Sequence, residues 1–158
     1  MKGKVRKATI KDAEAIQFLI NEYAKQGLML PRSLNSIYEN IRDFFVYEED
    51  GKILGVCALT VVWDNLAEIR SLAVHPEKRK QGIGRTLIKA CLEDAKHLQI
   101  TRIFTLTYQS EFFKKLGFKE IDKNTLPQKI WRDCINCVKF PNCDETAMEI
   151  ETGGNNDT

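Results

Sequence analysis

No apolar run in these 158 residues is long enough to cross a bilayer as a helix. The basic start, Met1 to Lys7, is not followed by the apolar core of an export signal. The expectation is a cytoplasmic protein with no membrane partner. Neither sign of charge is in excess: 24 Lys and Arg face 22 Asp and Glu, for a net charge of +2. A protein that grips nucleic acid by its phosphates needs far more positive charge, so any basic function is confined to a local patch. The cysteines number 5, an odd count that argues against a disulfide framework. There is no internal repeat and no linker long enough to divide the chain. With 43% hydrophobic and 29% charged residues, wholesale disorder is excluded as well.

What is present fits one α/β domain over residues 1–150, followed by a polar tail, 151–158, expected to be disordered. Val5 to Ile10 reads as a strand. Asp12 is placed to cap a helix carrying Ala15, Ile16, Leu19, Ile20 and Tyr23 at helical spacing. Ser33 is placed to cap a second helix, to about Ile41. Asp50-Gly51 is a hairpin signal between strands at Phe44 to Glu48 and Ile53 to Val62. Leu66 to Val74 is the next strand, followed by a basic turn at Pro76 to Lys80. A helix over Gly84 to Leu98 shows one apolar face. Further strands are expected at Ile103 to Thr107, Phe118 to Ile121 and Ala147 to Ile150, with a short helix at Glu111 to Leu116.

The informative stretch runs from Leu72-Ala73-Val74-His75-Pro76 through Arg79-Lys80-Gln81-Gly82-Ile83-Gly84-Arg85. It sets a strand, a basic loop and a Gly-x-Gly turn before a helix. Backbone N–H groups at a helix N-terminus point outward, and the helix dipole favours an anion there. Gly82 and Gly84 allow close backbone approach. Arg79, Lys80 and Arg85 add positive charge.

A Gly-x-Gly turn alone is weak evidence. The surrounding pattern, however, resembles the signature of the GNAT acetyltransferase superfamily: Arg/Gln-x-x-Gly-x-Gly/Ala after a strand ending in apolar-x-Val-x-Pro. Glu111-Phe112-Phe113-Lys114-Lys115-Leu116-Gly117-Phe118 resembles a second motif of that family. The resemblance implies a mixed central sheet with splayed strands flanked by helices. It implies acetyl-CoA as co-substrate, with its pyrophosphate on the amides of Gln81 to Arg85. The pantetheine arm would then pair with the backbone of Leu72, Ala73 and Val74. Arg79 and Lys80 complete the coenzyme set. Many family members carry a tyrosine where this chain has Phe113, and that tyrosine protonates the leaving thiolate. Here Tyr108 substitutes, or water does, or the thiolate leaves without a dedicated acid.

Acyl transfer to an amine needs a base for the ammonium proton, donors for the oxyanion and an acid for the thiolate. Glu68 is the candidate base; the competing reading pairs it with Arg70. Strand alternation puts Glu68, Arg70, Leu72 and Val74 on one face. A backbone N–H near Leu72 or Ala73 is the candidate oxyanion donor. Tyr108 ends the following strand and is read either as the acid or as a half-buried aromatic.

Gly27-Leu28-Met29-Leu30-Pro31-Arg32-Ser33 resembles the corresponding segment of the acetyltransferase domain of bacterial N-acetylglutamate synthases. The resemblance continues through Ala67-Glu68-Ile69 and Leu126-Pro127. It implies a small amino-acid acceptor, glutamate, with Arg32 on its α-carboxylate. Guanidinium–carboxylate chemistry agrees with that role. Arg70 and Arg132 are further candidates, and a solvated loop arginine is the competing reading for Arg32. The resemblance is to a short form without the regulatory kinase-like domain of the longer synthases, so arginine feedback is not implied. Another amine as acceptor, glutamine included, and a non-catalytic acyl-CoA module are the rival readings.

Cys134-x-x-Cys137 with Cys143 offers three zinc-type ligands, but the second Cys-x-x-Cys pair is missing. The expectation is no metal. Neither charge nor periodicity chooses between a monomer and a homodimer.

Overall fold

The computed structural model describes residues 3–127 and 145–152. Arg132, Cys134, Cys137, Cys143 and residues 153–158 lie outside the described residues. The strands are β1 (Lys4–Lys7), β2 (Phe44–Glu49), β3 (Lys52–Trp63), β4 (Leu66–Val74), β5 (Arg102–Thr107), β6 (Lys119–Glu120) and β7 (Thr146–Glu151). The helices are α1 (Ala13–Ala24), α2 (Leu34–Glu39), α3 (Ile83–His97) and α4 (Ser110–Lys115). One seven-stranded sheet takes the order β1-β2-β3-β4-β5-β7-β6. Its pairs are antiparallel except for β4 and β5, which run parallel. This is the mixed sheet flanked by helices that the motifs implied. Among the described residues no helix is long and apolar enough to cross a membrane.

Each sheet face carries its own core. Ile16, Ile20 and Ile37 from α1 and α2 pack on Phe44, Val46, Val56, Ala58 and Ala73. On the other face, Leu87, Ile88 and Cys91 of α3 pack on Cys57, Leu59, Ala67 and Ile69. Gly55 lets α3 come close: a Cβ there would lie 2.8 Å from Ile83 Cγ2. The β2–β3 hairpin turns through Asp50 and Gly51 at φ 53° and 76°, the left-handed pair a two-residue turn requires.

Three local expectations need correction. The first strand ends at Lys7, because Ile10–Asp12 winds into a 3-10 turn. The Asp12 side chain does not cap α1. Instead it accepts from Thr9 N at 2.7 Å and from Arg6 Nη1 at 2.8 Å, and Arg6 also reaches Glu48. The last strand runs through Glu151, and Thr152 is buried with its hydroxyl donating to Ile100 O at 3.0 Å. The ordered fold therefore extends past residue 150.

The Arg6–Asp12 pair makes a stability prediction. The Arg6 hydrogen bond, against an opposing burial effect, holds the Asp12 carboxyl below its ordinary range. A carboxyl lowered in the folded state stabilises above its unfolded pKa and stops doing so as pH falls through the folded one. Asp12→Asn should therefore cost about 2 kcal/mol at neutral pH. That cost should shrink in acid, as read by denaturant unfolding at a series of pH values.

Candidate active site

β4 and β5 pair through Leu66–Arg102, Ala67–Ile103 and Glu68–Phe104, and then part. The Thr105 hydroxyl bridges the mouth of the split, donating to Ile69 O at 3.0 Å. Beyond it opens a cleft of about 820 Å³. It is lined by the loop Leu28 to Ser33, by Glu68 to Leu72 of β4 and by Thr105 to Tyr108 on the β5 side, with Phe113 beside them. Arg32, Glu68, Arg70, Leu72 and Tyr108, chosen from sequence alone, thus meet at one cavity.

The wall along β4 is not a regular strand. Arg70 pairs with Ala58 and Ala73 with Val56, so Ser71 and Leu72 together face Cys57 alone. Ser71 takes φ 58° to make this bulge. The extra residue resets the alternation. Glu68 and Arg70 share the α1–α2 side with Ala73, while Leu72 and Val74 pack toward α3. The expectation that Glu68, Arg70, Leu72 and Val74 share one face is therefore wrong. The physical reason is one inserted residue, which sends Glu68 and Arg70 to one side of the sheet and Leu72 and Val74 to the other.

Glu68 is 7% exposed, and its Oε1 accepts from Arg70 Nε at 2.6 Å. The carboxylate thus lines the cleft and is ion-paired with Arg70. The pairing fixes where the carboxylate points. Asp43, which sequence reasoning missed, stands on the same face. It accepts from Thr60 Oγ1 at 3.1 Å, and Thr60 is the register partner of Glu68. Burial pushes the Asp43 carboxyl up; the Thr60 bond and the charges of Lys7, Arg32 and Arg70 oppose this.

Arg32 is held by α1. Gln17 Nε2 donates to Arg32 O at 3.2 Å, and Arg32 N donates to Asn21 Oδ1 at 3.4 Å. Gln17 and Asn21 are four residues apart and so lie one turn apart on the same helix face. The guanidinium donates to Ser36 Oγ at 3.2 Å and lies 5.2 Å from the Phe44 ring centroid. Ser33 caps α2 as expected, accepting from Ser36 N at 3.0 Å.

The glycine turn sits at the other end of β4. Gly82 occupies the N-cap of α3 at φ 87°, a conformation that costs L-residues energy. Arg79, Lys80, Gln81 and Arg85 are exposed around it. A Cβ on Gly84 would lie 3.3 Å from Phe112 Cζ. The smallness of Gly84 therefore serves the packing of α3 on α4. Gly82→Ala should cost about 1–2 kcal/mol of stability, which thermal unfolding would check.

Phe113 is buried, edge-on to Phe112 at 5.1 Å and to Phe118 at 5.0 Å between centroids. It supplies an apolar wall with no proton to give. Tyr108 is half-buried on the cleft, the polar aromatic nearest the end of β5. Among the described residues no three His, Cys, Asp or Glu side chains cluster as a metal site would need.

A family profile described as an acetyltransferase (GNAT) domain matches residues 40–120. The chain belongs to the GNAT acetyltransferase family. As a GNAT enzyme it takes its acetyl group from acetyl-CoA. An uncharacterised N-acetyltransferase of Chlorobaculum tepidum is 49% identical over 91% of this chain and 93% of its own length. An amino-acid acetyltransferase of Mycobacterium tuberculosis is 37% identical over 80% of this chain and 74% of its own length. Among solved structures, the N-acetylglutamate synthase of Neisseria gonorrhoeae, complexed with coenzyme A and N-acetyl-glutamate, superposes with a TM-score of 0.87 at 26% identity. The match covers 96% of this GNAT chain and 35% of that synthase.

Proposed function

We propose that this GNAT enzyme transfers the acetyl group of acetyl-CoA to the α-amine of glutamate, making N-acetylglutamate for arginine biosynthesis. It is an acetyl-CoA-dependent amino-acid N-acetyltransferase, similar to the amino-acid acetyltransferase of Mycobacterium tuberculosis. Glutamate as the acceptor is supported by the meeting of Arg32, Glu68 and the bulge at Ser71 on one cleft.

In this reading the coenzyme's pyrophosphate lies on the amides of Gln81 to Arg85, with Arg79 and Lys80 beside it. The pantetheine arm runs along Leu72 to Val74 in the opening between β4 and β5. Arg32 takes the α-carboxylate of the acceptor. Glu68 accepts the amine's proton, directly or through a water, and the amine attacks the thioester. The Leu72 amide, at the bulge, meets the developing oxyanion. Tyr108 protonates the thiolate in place of the tyrosine that Phe113 replaces.

Glutamine is the second acceptor reading, because Arg70 already pairs with Glu68 at 2.6 Å and an amino acid with a single carboxylate asks for fewer cations. Initial rates with both substrates varied test the mechanism. Intersecting lines are expected for direct attack, and parallel lines would mean an acyl-enzyme. The ratio of kcat/KM for glutamate and glutamine decides the acceptor, and the account expects it to favour glutamate.

A further inference from the structure

Tyr23 belongs to neither signature motif, yet it touches both halves of the site. It is the last buried side chain of α1 and lines the cleft. Its hydroxyl donates to Val74 O at 2.9 Å and lies 3.3 Å from Val74 N. The same oxygen accepts from Arg79 Nε at 3.2 Å, and the Arg79 guanidinium lies 5.0 Å from the ring centroid. Its main-chain carbonyl accepts from Leu28 N and Gln26 N, both at 3.1 Å, which closes the turn into the Arg32 loop. One residue therefore fixes the coenzyme strand and its arginine through the side chain, and the acceptor loop through the backbone.

We propose that Tyr23 is a positioning residue for the coenzyme, acting through Arg79. An exposed arginine samples many rotamers, and ordering it on a ligand costs entropy at the moment of binding. Stacking on the Tyr23 ring and donating Nε to its hydroxyl orders the guanidinium in advance. A guanidinium ordered in this way offers its Nη fork to a phosphate of the coenzyme. This rests on the assignment of Arg79 to coenzyme binding made above, but not on the identity of the acceptor.

Titration calorimetry of acetyl-CoA into the wild type, Tyr23→Phe, Arg79→Ala and the double variant tests it. Wild-type binding is the control: if it is absent, the coenzyme assignment itself fails. Tyr23→Phe should weaken coenzyme binding about tenfold, the size of a hydrogen bond to a charged group. The double variant should bind no more weakly than Arg79→Ala alone, because Tyr23 acts through that arginine. The KM for the acceptor should stay within about twofold, because phenylalanine keeps the backbone carbonyl that holds Leu28. Wild-type affinity in Tyr23→Phe, or losses that simply multiply in the double variant, would overturn the proposal. So would a parallel rise in both KM values with a lower Tm, the mark of general loosening.

Discussion

Arg32→Ala should lower kcat/KM for glutamate by roughly a hundredfold or more while leaving the KM for acetyl-CoA unchanged. Truncating one partner of a hydrogen-bonded charge pair commonly costs about 2–5 kcal/mol. Here the variant tests the guanidinium alone. Gln17 and Asn21 hold the loop through the carbonyl and amide of Arg32, and alanine keeps both. The loop should therefore hold its place, and the lost stack on Phe44 is a minor stability effect. Rates against several amines decide the meaning. A loss confined to amino acids supports carboxylate recognition, whereas an equal loss with a polyamine would make Arg32 structural.

The second large effect belongs to Glu68. Glu68→Gln should reduce kcat about 10²- to 10³-fold, the usual contribution of a general base. Coenzyme affinity should persist. Glutamine retains a side-chain oxygen able to accept from Arg70 Nε, so the 2.6 Å contact can survive while basicity is removed. Unaltered turnover would remove Glu68 from the mechanism and leave it as the partner of Arg70.

The features legible in the sequence were those governed by local rules. β4 spans Leu66–Val74 as expected, because Asp64-Asn65 and Pro76 punctuate both ends. The Asp50-Gly51 hairpin and the Ser33 cap followed from turn and capping chemistry. Arg32 and Glu68 were found through motif resemblance, Arg70 through its charge and Tyr108 through its place at the end of β5, and the fold places them around one cavity.

What escaped depends on partners distant in the chain. Ser71 carries no local mark of a bulge; the slip exists only in its pairing with β3, and it overturned the assignment of faces. Asp43 matters through Thr60, 17 residues away. Gln17 and Asn21 matter through Arg32, 15 and 11 residues away, and Tyr23 through Val74, 51 residues away. Each reads in sequence as an ordinary helix or turn residue, because the contact that gives it meaning is made only by folding.

The most direct test of the central claim is thiol release from acetyl-CoA with glutamate, glutamine, a lysine peptide and spermidine in parallel, with products weighed by mass spectrometry. The account predicts the fastest release with glutamate and a product of the mass of N-acetylglutamate. Release driven only by the peptide or the polyamine would contradict it, as would coenzyme binding without turnover of any amine.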